Sequence, residues 1–124
     1  MLSVSIVDLE VFYRVGVSEA ERAHPQRLLV SLEMEPADLR ATVTDDLAHT
    51  IDYHAVSRDL LGFGEGRSWA LLEKLAADLA GHVLQRYRPA AVTVEIKKFV
   101  LPEARHVAVR LRRTLPEIGA PQPG

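Results

Sequence analysis

Lys98 is the side chain of this sequence that is best placed for proton transfer. It follows Val92, Val94 and Ile96 at every second position, so in a β-strand it shares their apolar face, whereas Lys97 lies on the opposite face. A lysine at the end of a buried face is easily desolvated, and desolvation depresses the pKa of an ammonium group toward general acid–base chemistry. Alternatively, Lys98 lies just past the strand end and extends its amine into water.

Glu73 is a carboxylate without the usual partner. Leucines recur at helical spacing around it and predict a helix that is capped by Ser68 and runs to about Tyr87, before Pro89. Glu73 lies at the border of the apolar face, and the positions three and four residues away hold only tryptophan or alanine, so no cation of the same helix can pair with it. It is either a solvated border residue or a group that awaits a ligand.

Tyr53 and Glu21 are two further candidates. Tyr53 opens a second predicted helix, capped by Asp52 and ending near Gly62, on its apolar face. A tyrosine there is usually a core or interface residue whose hydroxyl has a partner. Glu21 lies in a polar loop before Pro25, where an acid is usually solvated. The residue pattern alone therefore indicates a candidate Lys/Tyr/Glu site and leaves its substrate open.

Several common site signatures are missing from the sequence. There is no G-x-G-x-x-G, phosphate-binding loop or G-x-S-x-G pattern, and no cysteine nucleophile. The histidines show neither H-x-H nor H-E-x-x-H spacing, so we expect no metal site and no cofactor. The five histidines are His24, His49, His54, His82 and His106.

Composition limits the class of protein. The 124 residues, 48% of them hydrophobic, predict one domain with a real core. A formal net charge of −2 gives no reason to expect a nucleic acid or an anionic membrane as partner, and the absence of cysteine excludes disulfides. The N-terminus lacks a basic segment typical of a signal peptide, and no apolar run approaches the roughly 18 residues of a membrane span. We therefore expect a soluble, cytoplasmic protein.

The periodicities predict an α+β fold. Alternating strands are expected at 2–17, with a bulge or break near Leu9-Glu10, at 26–35, at 92–98 and at 106–113. A short helical turn is expected at 37–40, ahead of the two helices. This ββααββ order predicts an antiparallel four-stranded sheet with two helices on one face, forming one domain at 1–114. The Pro/Gly-rich tail 115–124 is expected to be disordered.

Four local patterns occur in order on the ββααββ frame. They are Gly16-Val17-x-x-x-Glu21 followed by Gln26, Asp45-Asp46 leading to Thr50-Ile51-Asp52-Tyr53, Glu65-Gly66-Arg67-Ser68 leading to Leu71-Leu72-Glu73-x-Leu75-Ala76, and Val94-x-Ile96-x-Lys98. Each pattern is weak alone, and together they are fairly specific. In this order the sequence resembles the dihydroneopterin aldolase family of the tunnelling-fold (T-fold) superfamily over residues 2–113.

The resemblance implies an enzyme of folate biosynthesis that cleaves 7,8-dihydroneopterin into 6-hydroxymethyl-7,8-dihydropterin and glycolaldehyde. Family members use neither a metal nor a Schiff base, because the dihydropterin ring is the electron sink. Carried over to this sequence, Lys98 would be the general acid and base, acting through an ordered water. Tyr53 would shuttle a proton, and Glu21 would orient the substrate's side chain or tune Lys98.

The same resemblance implies the binding residues and the assembly. Glu73 would accept hydrogen bonds from the pterin's 2-amino group and ring N–H, and Leu72 would contribute its backbone beside it. Ile51, next to Tyr53 in the same pattern, would also contact the substrate. In this family the pocket lies between subunits, with the Tyr53 segment coming from the partner. The chains commonly form octamers of two stacked tetramer rings, which would cover exposed strand edges.

Three hypotheses for the function fit these patterns. The first is the aldolase, with or without epimerase activity through the same retro-aldol intermediate. The second is a dihydroneopterin triphosphate 2'-epimerase, which should need extra cations near the substrate tail, such as Arg22, Arg105 or Lys97. The third is a non-catalytic pterin- or purine-binding oligomer, which would need Glu73 but not Lys98. The sequence departs from the family pattern after Lys98, where Phe99-Val100-Leu101-Pro102 stands in place of an immediate proline.

Overall fold

A five-stranded sheet forms the frame of the protein in the computed structural model, which describes residues 1–118. The strand order is β3-β1-β2-β4-β5, and the pairs β1–β2, β2–β4 and β4–β5 are antiparallel. The pair β1–β3 is parallel, so the sheet is mixed. The strands are β1 (Val4–Val15), β2 (Gln26–Glu35), β3 (Ser68–Trp69), β4 (Ala91–Lys98) and β5 (Val107–Thr114).

The α+β class is confirmed, but the prediction of four antiparallel strands is wrong. The fifth strand is β3, where Ser68 and Trp69 pair with Arg14 and Val15. The prediction that Ser68 caps the helix is therefore wrong, since the helix begins at Leu72 and Leu71 is its N-cap. In the structure the indole of Trp69 is buried, its centroid 5.7 Å from that of Tyr13, and the strand pairing overrides the helical pattern.

Two long helices cover one face of this sheet. The predicted cap at Asp52 is confirmed, since its carboxylate accepts the backbone N–H groups of His54 and Ala55 at 3.0 and 3.2 Å. The second long helix ends at a left-handed Arg88, as the following proline predicts. None of the helices within residues 1–118 is long and apolar enough to cross a membrane. The helices are α1 (Glu19–Arg22), α2 (Ala41–Thr44), a 3₁₀ helix (Leu47–His49), α3 (Tyr53–Gly62), α4 (Leu72–Tyr87) and α5 (Leu115–Ile118).

Two shorter elements differ from the sequence-based expectation. The helical turn expected at 37–40 lies instead at α2, one turn further along the chain. The expected tail begins at Leu115, yet Leu115–Ile118 form α5, whose first N–H donates to the Ala90 carbonyl at 3.2 Å. Residues 119–124 of the expected tail lie outside the described residues.

The core lies between the sheet and helices α3 and α4. Alternation in β2 buries Leu28, Val30, Leu32 and Met34, and the neighbouring β4 buries its own alternate residues against the same helices. Fully burying one such side chain contributes roughly 1.5–3 kcal/mol. The apolar row of β4 ends at Lys98, so the strand geometry carries a cation to the rim of the core.

A bulge in β1 supplies the partner of Lys97, the residue that precedes Lys98 in β4. The β1–β2 register shifts between Ile6 and Leu9, which confirms the predicted irregularity, and Asp8 there has φ 55°. The Lys97 ammonium donates to the Asp8 carboxylate at 3.0 Å on the sheet face away from the helices. The hydrogen bond from Lys97 is the largest contribution to the pKa of Asp8 and lowers it, although desolvation acts in the opposite direction. Lys97 is therefore engaged on the face opposite Lys98.

Candidate active site

A cleft of about 290 Å³ opens where the ends of β1 and β4 meet the N-terminus of α4. Four of the predicted site residues, Glu21, Leu72, Glu73 and Lys98, line it together. They come from three distant segments of the chain, so the fold assembles them. The remaining lining residues are Val15, Gly16, Val17, Ala70, Leu71, Val100 and Val107.

Lys98 is held at the floor of this cleft. It is the last residue of β4, paired with Leu28 on one side and Val107 on the other, and only 8% of its surface is exposed. The alternative in which it lies beyond the strand and extends into water is therefore wrong. Its Nζ donates to the Val15 carbonyl at 3.2 Å and to Glu21 Oε2 at 3.3 Å. An ammonium has three N–H donors, so one is left for a group in the cleft.

Glu21 is shared between a helix cap and Lys98. Ser18 is the N-cap of α1, where its Oγ accepts the Glu21 N–H at 3.2 Å. In return Glu21 Oε1 accepts from the Ser18 N–H at 3.4 Å, which completes a capping box. The hydrogen bond from the Ser18 backbone, followed by that from Lys98, lowers the pKa of the Glu21 carboxyl. The carboxylate form is thus favoured beside Lys98.

Gly16 lets the loop approach the strand closely enough for this contact. A Cβ at position 16 would lie 2.3 Å from the Glu21 Cβ and 2.8 Å from its Oε2, which no side chain could occupy without moving Glu21. The Gly16 carbonyl also accepts from the Arg22 guanidinium at 2.7 Å. Gln26 adds a further tie, since its amide donates to the Val15 carbonyl at 2.7 Å and to the Glu21 carbonyl at 3.0 Å.

Glu73 lies on the other side of the cleft, in the first turn of α4. The residue that precedes this helix, Leu71, is extended and provides no side-chain cap. The first N–H groups of the helix, including that of Leu72, therefore have no intrahelical acceptor beside the cleft. No hydrogen bond or ion pair joins the exposed Glu73 carboxylate to another residue within 1–118. The open helix start and this carboxylate offer donors and an acceptor side by side.

Tyr53 and Ile51 do not line this cleft. Tyr53 is the first residue of α3, is 52% exposed and has its ring 4.9 Å from that of His54. Of the two usual positions of such a tyrosine, core or interface, this exposure excludes the core. Ile51 is buried in the core, with 7% of its surface exposed. One chain therefore brings together four of the six predicted residues.

Two other concavities carry less chemistry. One, of about 390 Å³, lies on the outer side of the helices near Arg67 and His82. The other, of about 210 Å³, lies on the open face of the sheet near Glu33 and Lys97. Within residues 1–118, no group of three or more His, Cys, Asp or Glu side chains could hold a metal ion. The cleft at Lys98 combines a buried cation with a carboxylate that has no partner within residues 1–118.

Sequence reasoning missed two parts of the site. The first is Ser18, although the Ser18-x-x-Glu21 spacing is a capping-box signal that could have identified it. The second is the backbone carbonyl of Val15, which accepts from Lys98 and which no side-chain pattern could have indicated. Both act on Lys98 or its partner Glu21, so they belong to the same unit.

Comparisons with known proteins agree over nearly the whole described chain. The family model described as FolB: Dihydroneopterin aldolase matches residues 4–112. A dihydroneopterin aldolase from Haemophilus influenzae is 30% identical over 111 residues, which cover 89% of this chain and 94% of the relative. A dihydroneopterin triphosphate 2'-epimerase from Pseudomonas aeruginosa is 24% identical over 98 residues, covering 79% and 80%. The crystal structure of Escherichia coli dihydroneopterin aldolase in complex with neopterin is 28% identical, with a TM-score of 0.83 and coverage of 91% of this chain and 99% of that one.

The lowered pKa of Glu21 makes a prediction about acid stability. Because folding stabilises its carboxylate form, the contribution is present above the ordinary value near 4.5 and is lost as the pH falls through the lowered value. Glu21→Gln should therefore be less stable than the wild type at neutral pH and approach it in acid, as measured by urea unfolding at fixed protein concentration. Glu19→Gln removes a carboxylate from the same turn, and an equal, pH-matched effect in that control would contradict the Glu21–Lys98 assignment.

Proposed function

The chain belongs to the dihydroneopterin aldolase family, and on that premise we propose that the cleft at Lys98 cleaves 7,8-dihydroneopterin into 6-hydroxymethyl-7,8-dihydropterin and glycolaldehyde. One observation carries the proposal: a buried lysine paired with Glu21 shares a cleft with Glu73, a carboxylate that has no partner in the described chain. The neopterin bound by the Escherichia coli relative supports a pterin as the ligand class.

Glu73 is the proposed anchor for the pterin ring. Its two carboxylate oxygens can accept the 2-amino group and a ring N–H in a fork, and such charge-assisted hydrogen bonds are stronger than neutral ones. The uncapped start of α4 supplies backbone N–H donors at Leu72 for a ring acceptor. Recognition of the pterin would thus use both the Glu73 carboxylate and the Leu72 N–H at the start of α4.

Lys98 is the proposed general acid and base of a retro-aldol cleavage. A base removes the proton of the 2'-hydroxyl, the C1'–C2' bond breaks, and its electron pair moves into the C6–N5 imine of the ring. Glycolaldehyde leaves, and C1', which stays attached to the ring, then takes up a proton. The overall reaction therefore neither gains nor loses a proton. The ring accepts the electrons, so no covalent bond to Lys98 is required. Lys98 would act through an ordered water, with Tyr53 as a proton shuttle.

The charges of the cleft favour the aldolase over a triphosphate epimerase. Within the described chain, the charged residues that line it are two carboxylates, Glu21 and Glu73, and one cation, Lys98. A polyanionic tail would meet little compensating charge there. Two of the cations that could have served are engaged elsewhere, since Lys97 bonds Asp8 on the opposite face and the Arg22 guanidinium bonds backbone carbonyls. The uncharged tail of dihydroneopterin fits these charges better.

A non-catalytic pterin-binding oligomer would not need the Lys98 arrangement. Burying an ammonium is costly unless it is paired and hydrogen-bonded, and recognition of the pterin edge requires only Glu73. The pair of Lys98 with Glu21 therefore favours catalysis over binding alone. Epimerase activity on the same substrate would use the same cleaved intermediate.

The site is proposed to be completed by a second copy of the chain. Tyr53 is half exposed and lies outside the cleft, and exposed apolar side chains of Val17, Leu71 and Val100 form the cleft rim. β5 is an edge strand that pairs with β4 on one side, and from Val107 to Arg113 no second strand within the described residues pairs with its other side. These features support an assembly in which the partner's Tyr53 segment closes the cleft, and an octamer of two stacked tetramer rings is the proposed form.

Lys98→Ala should abolish most of the turnover of 7,8-dihydroneopterin, measured as glycolaldehyde release. Loss of general acid–base catalysis should lower kcat by roughly a hundredfold to ten-thousandfold, with modest loss of pterin affinity. Lys97→Ala, one residue away on the opposite face, is the matched control and should keep near wild-type activity. Wild-type rates in Lys98→Ala, or a borohydride-trapped adduct on Lys98, would contradict the mechanism.

Glu73→Gln should act mainly on binding. Replacing an acceptor of charge-assisted hydrogen bonds should weaken neopterin affinity by roughly tenfold to a hundredfold, as measured by calorimetry. Glu33→Gln, on the open face of the sheet, is the control for loss of a carboxylate. Unchanged affinity in Glu73→Gln, with a fall in kcat only, would remove Glu73 from the recognition role.

Mixing two inactive variants tests the shared site. Lys98→Ala and Tyr53→Phe, unfolded together and reassembled at equal concentrations, should recover up to about a quarter of the wild-type activity if each site takes Lys98 and Tyr53 from different chains. Reassembly of each variant alone is the control. If the mixture stays as inactive as the separate variants, while wild-type protein treated in the same way regains activity, the two residues do not come from neighbouring subunits.

A further inference from the structure

The capping box of α1 divides the two oxygens of the Glu21 carboxylate between two partners. Oε1 accepts from the Ser18 N–H at 3.4 Å and from the Ser18 hydroxyl at 3.3 Å. Oε2 accepts from the Lys98 ammonium at 3.3 Å. The side chain of Glu21 is 42% exposed, so burial does little to restrict it. These hydrogen bonds, more than packing, must set its orientation.

We infer that Ser18 is a positioning residue for the acid–base pair: its hydroxyl holds one oxygen of Glu21 so that the other faces Lys98. This inference rests on the proposed function. The two residues joined through Glu21 are 80 positions apart, but each contact is short in space. A Glu21 that rotated freely would leave the Lys98 ammonium with the Val15 carbonyl as its other acceptor.

Apart from Lys98, Ser18 is the polar side chain that bonds this carboxylate. The charged or titratable groups that line the cleft or lie at its loop are Lys98 from β4, Glu73 from α4, Glu19 and Arg22 from α1, His24 after α1, and Arg14 from β1, whose guanidinium donates to the Arg22 and Ala23 carbonyls. The Arg22 guanidinium is turned to the Gly16 and Val17 carbonyls at 2.7 and 2.8 Å, where it braces the backbone of the loop. Ser18 therefore acts on the side chain of Glu21, whereas Arg22 acts on the backbone beneath it.

Ser18→Gly separates this role from helix stability, because glycine is itself a tolerated N-cap residue while it lacks the hydroxyl. We expect kcat for 7,8-dihydroneopterin to fall roughly threefold to tenfold, the effect of one hydrogen bond, with KM unchanged. The acid limb of the kcat profile should move slightly to higher pH, because the Glu21 carboxyl loses the hydroxyl donor that favours its charged form but keeps the backbone N–H of residue 18, which lowers its pKa more. Ser18→Thr, which restores a hydroxyl, should return both quantities to the wild-type values.

Ser31→Ala is the matched control for the loss of a serine hydroxyl. Ser31 lies on the open face of the sheet, where its Oγ accepts the Asp8 N–H at 2.9 Å. This variant should lose stability without a change in kcat or in its pH profile. A Ser18→Gly enzyme whose kcat and pH profile are unchanged overturns the inference, whatever its stability.

A second measurement does not depend on turnover. Carbon NMR of the Glu21 side-chain carboxyl should show that it titrates at higher pH in Ser18→Gly than in the wild type. An unchanged titration overturns the positioning role even if the enzyme is active. Conversely, a wild-type protein that releases no glycolaldehyde refutes the proposed function, while the carboxyl titration still decides whether Ser18 holds Glu21.

Discussion

The site depends on the need to satisfy one buried cation. Lys98 continues the apolar row of β4, so the strand delivers its ammonium to the edge of the core, where an unpaired charge would cost several kcal/mol. The Val15 carbonyl at the end of β1 and the Glu21 carboxylate of α1 accept hydrogen bonds from this ammonium. Gly16 permits the close approach of Glu21 that the second of these contacts requires. The conformation of the β1–β2 connection is thus tied to a residue at the end of β4.

The opposite wall of the cleft contains polar groups at the start of α4 that have no hydrogen-bond partner within the described residues. Trp69 is fixed in β3, where its buried indole donates to Asp78 at 2.9 Å, so the chain enters α4 in an extended conformation without a capping side chain. The positive end of the helix dipole therefore faces the cleft, with Glu73 beside it in the first turn. A ligand that carries both donors and an acceptor along one edge matches this wall. The Lys98–Glu21 pair and the wall that carries Glu73 are built from separate parts of the sheet and helix layers.

Several features of the site follow from local sequence rules. Alternation along β4 was enough to choose Lys98 over Lys97, because neighbouring residues of a strand lie on opposite faces. The cap at Asp52 followed from the preference of helix starts for a short acceptor side chain. Ser68 and Trp69 were wrongly assigned to a helix, because two residues of parallel pairing leave no periodic signal. Tyr53 lies on the apolar face of the predicted helix, but its ring is half exposed at the start of α3, and helical periodicity alone does not separate a core tyrosine from an interface one.

The sequence by itself determined which faces are buried, where most long elements lie and which family the chain resembles, because these depend on periodicity, caps and short patterns. The tertiary structure decided which of the candidate residues meet. Glu21 and Lys98 are 77 residues apart, and their contact requires the β2–β4 register and the closure of the loop after Gly16. No local propensity encodes a register between distant strands, since it is set by the packing of the whole sheet. The same packing placed Glu73 in the cleft and Tyr53 outside it.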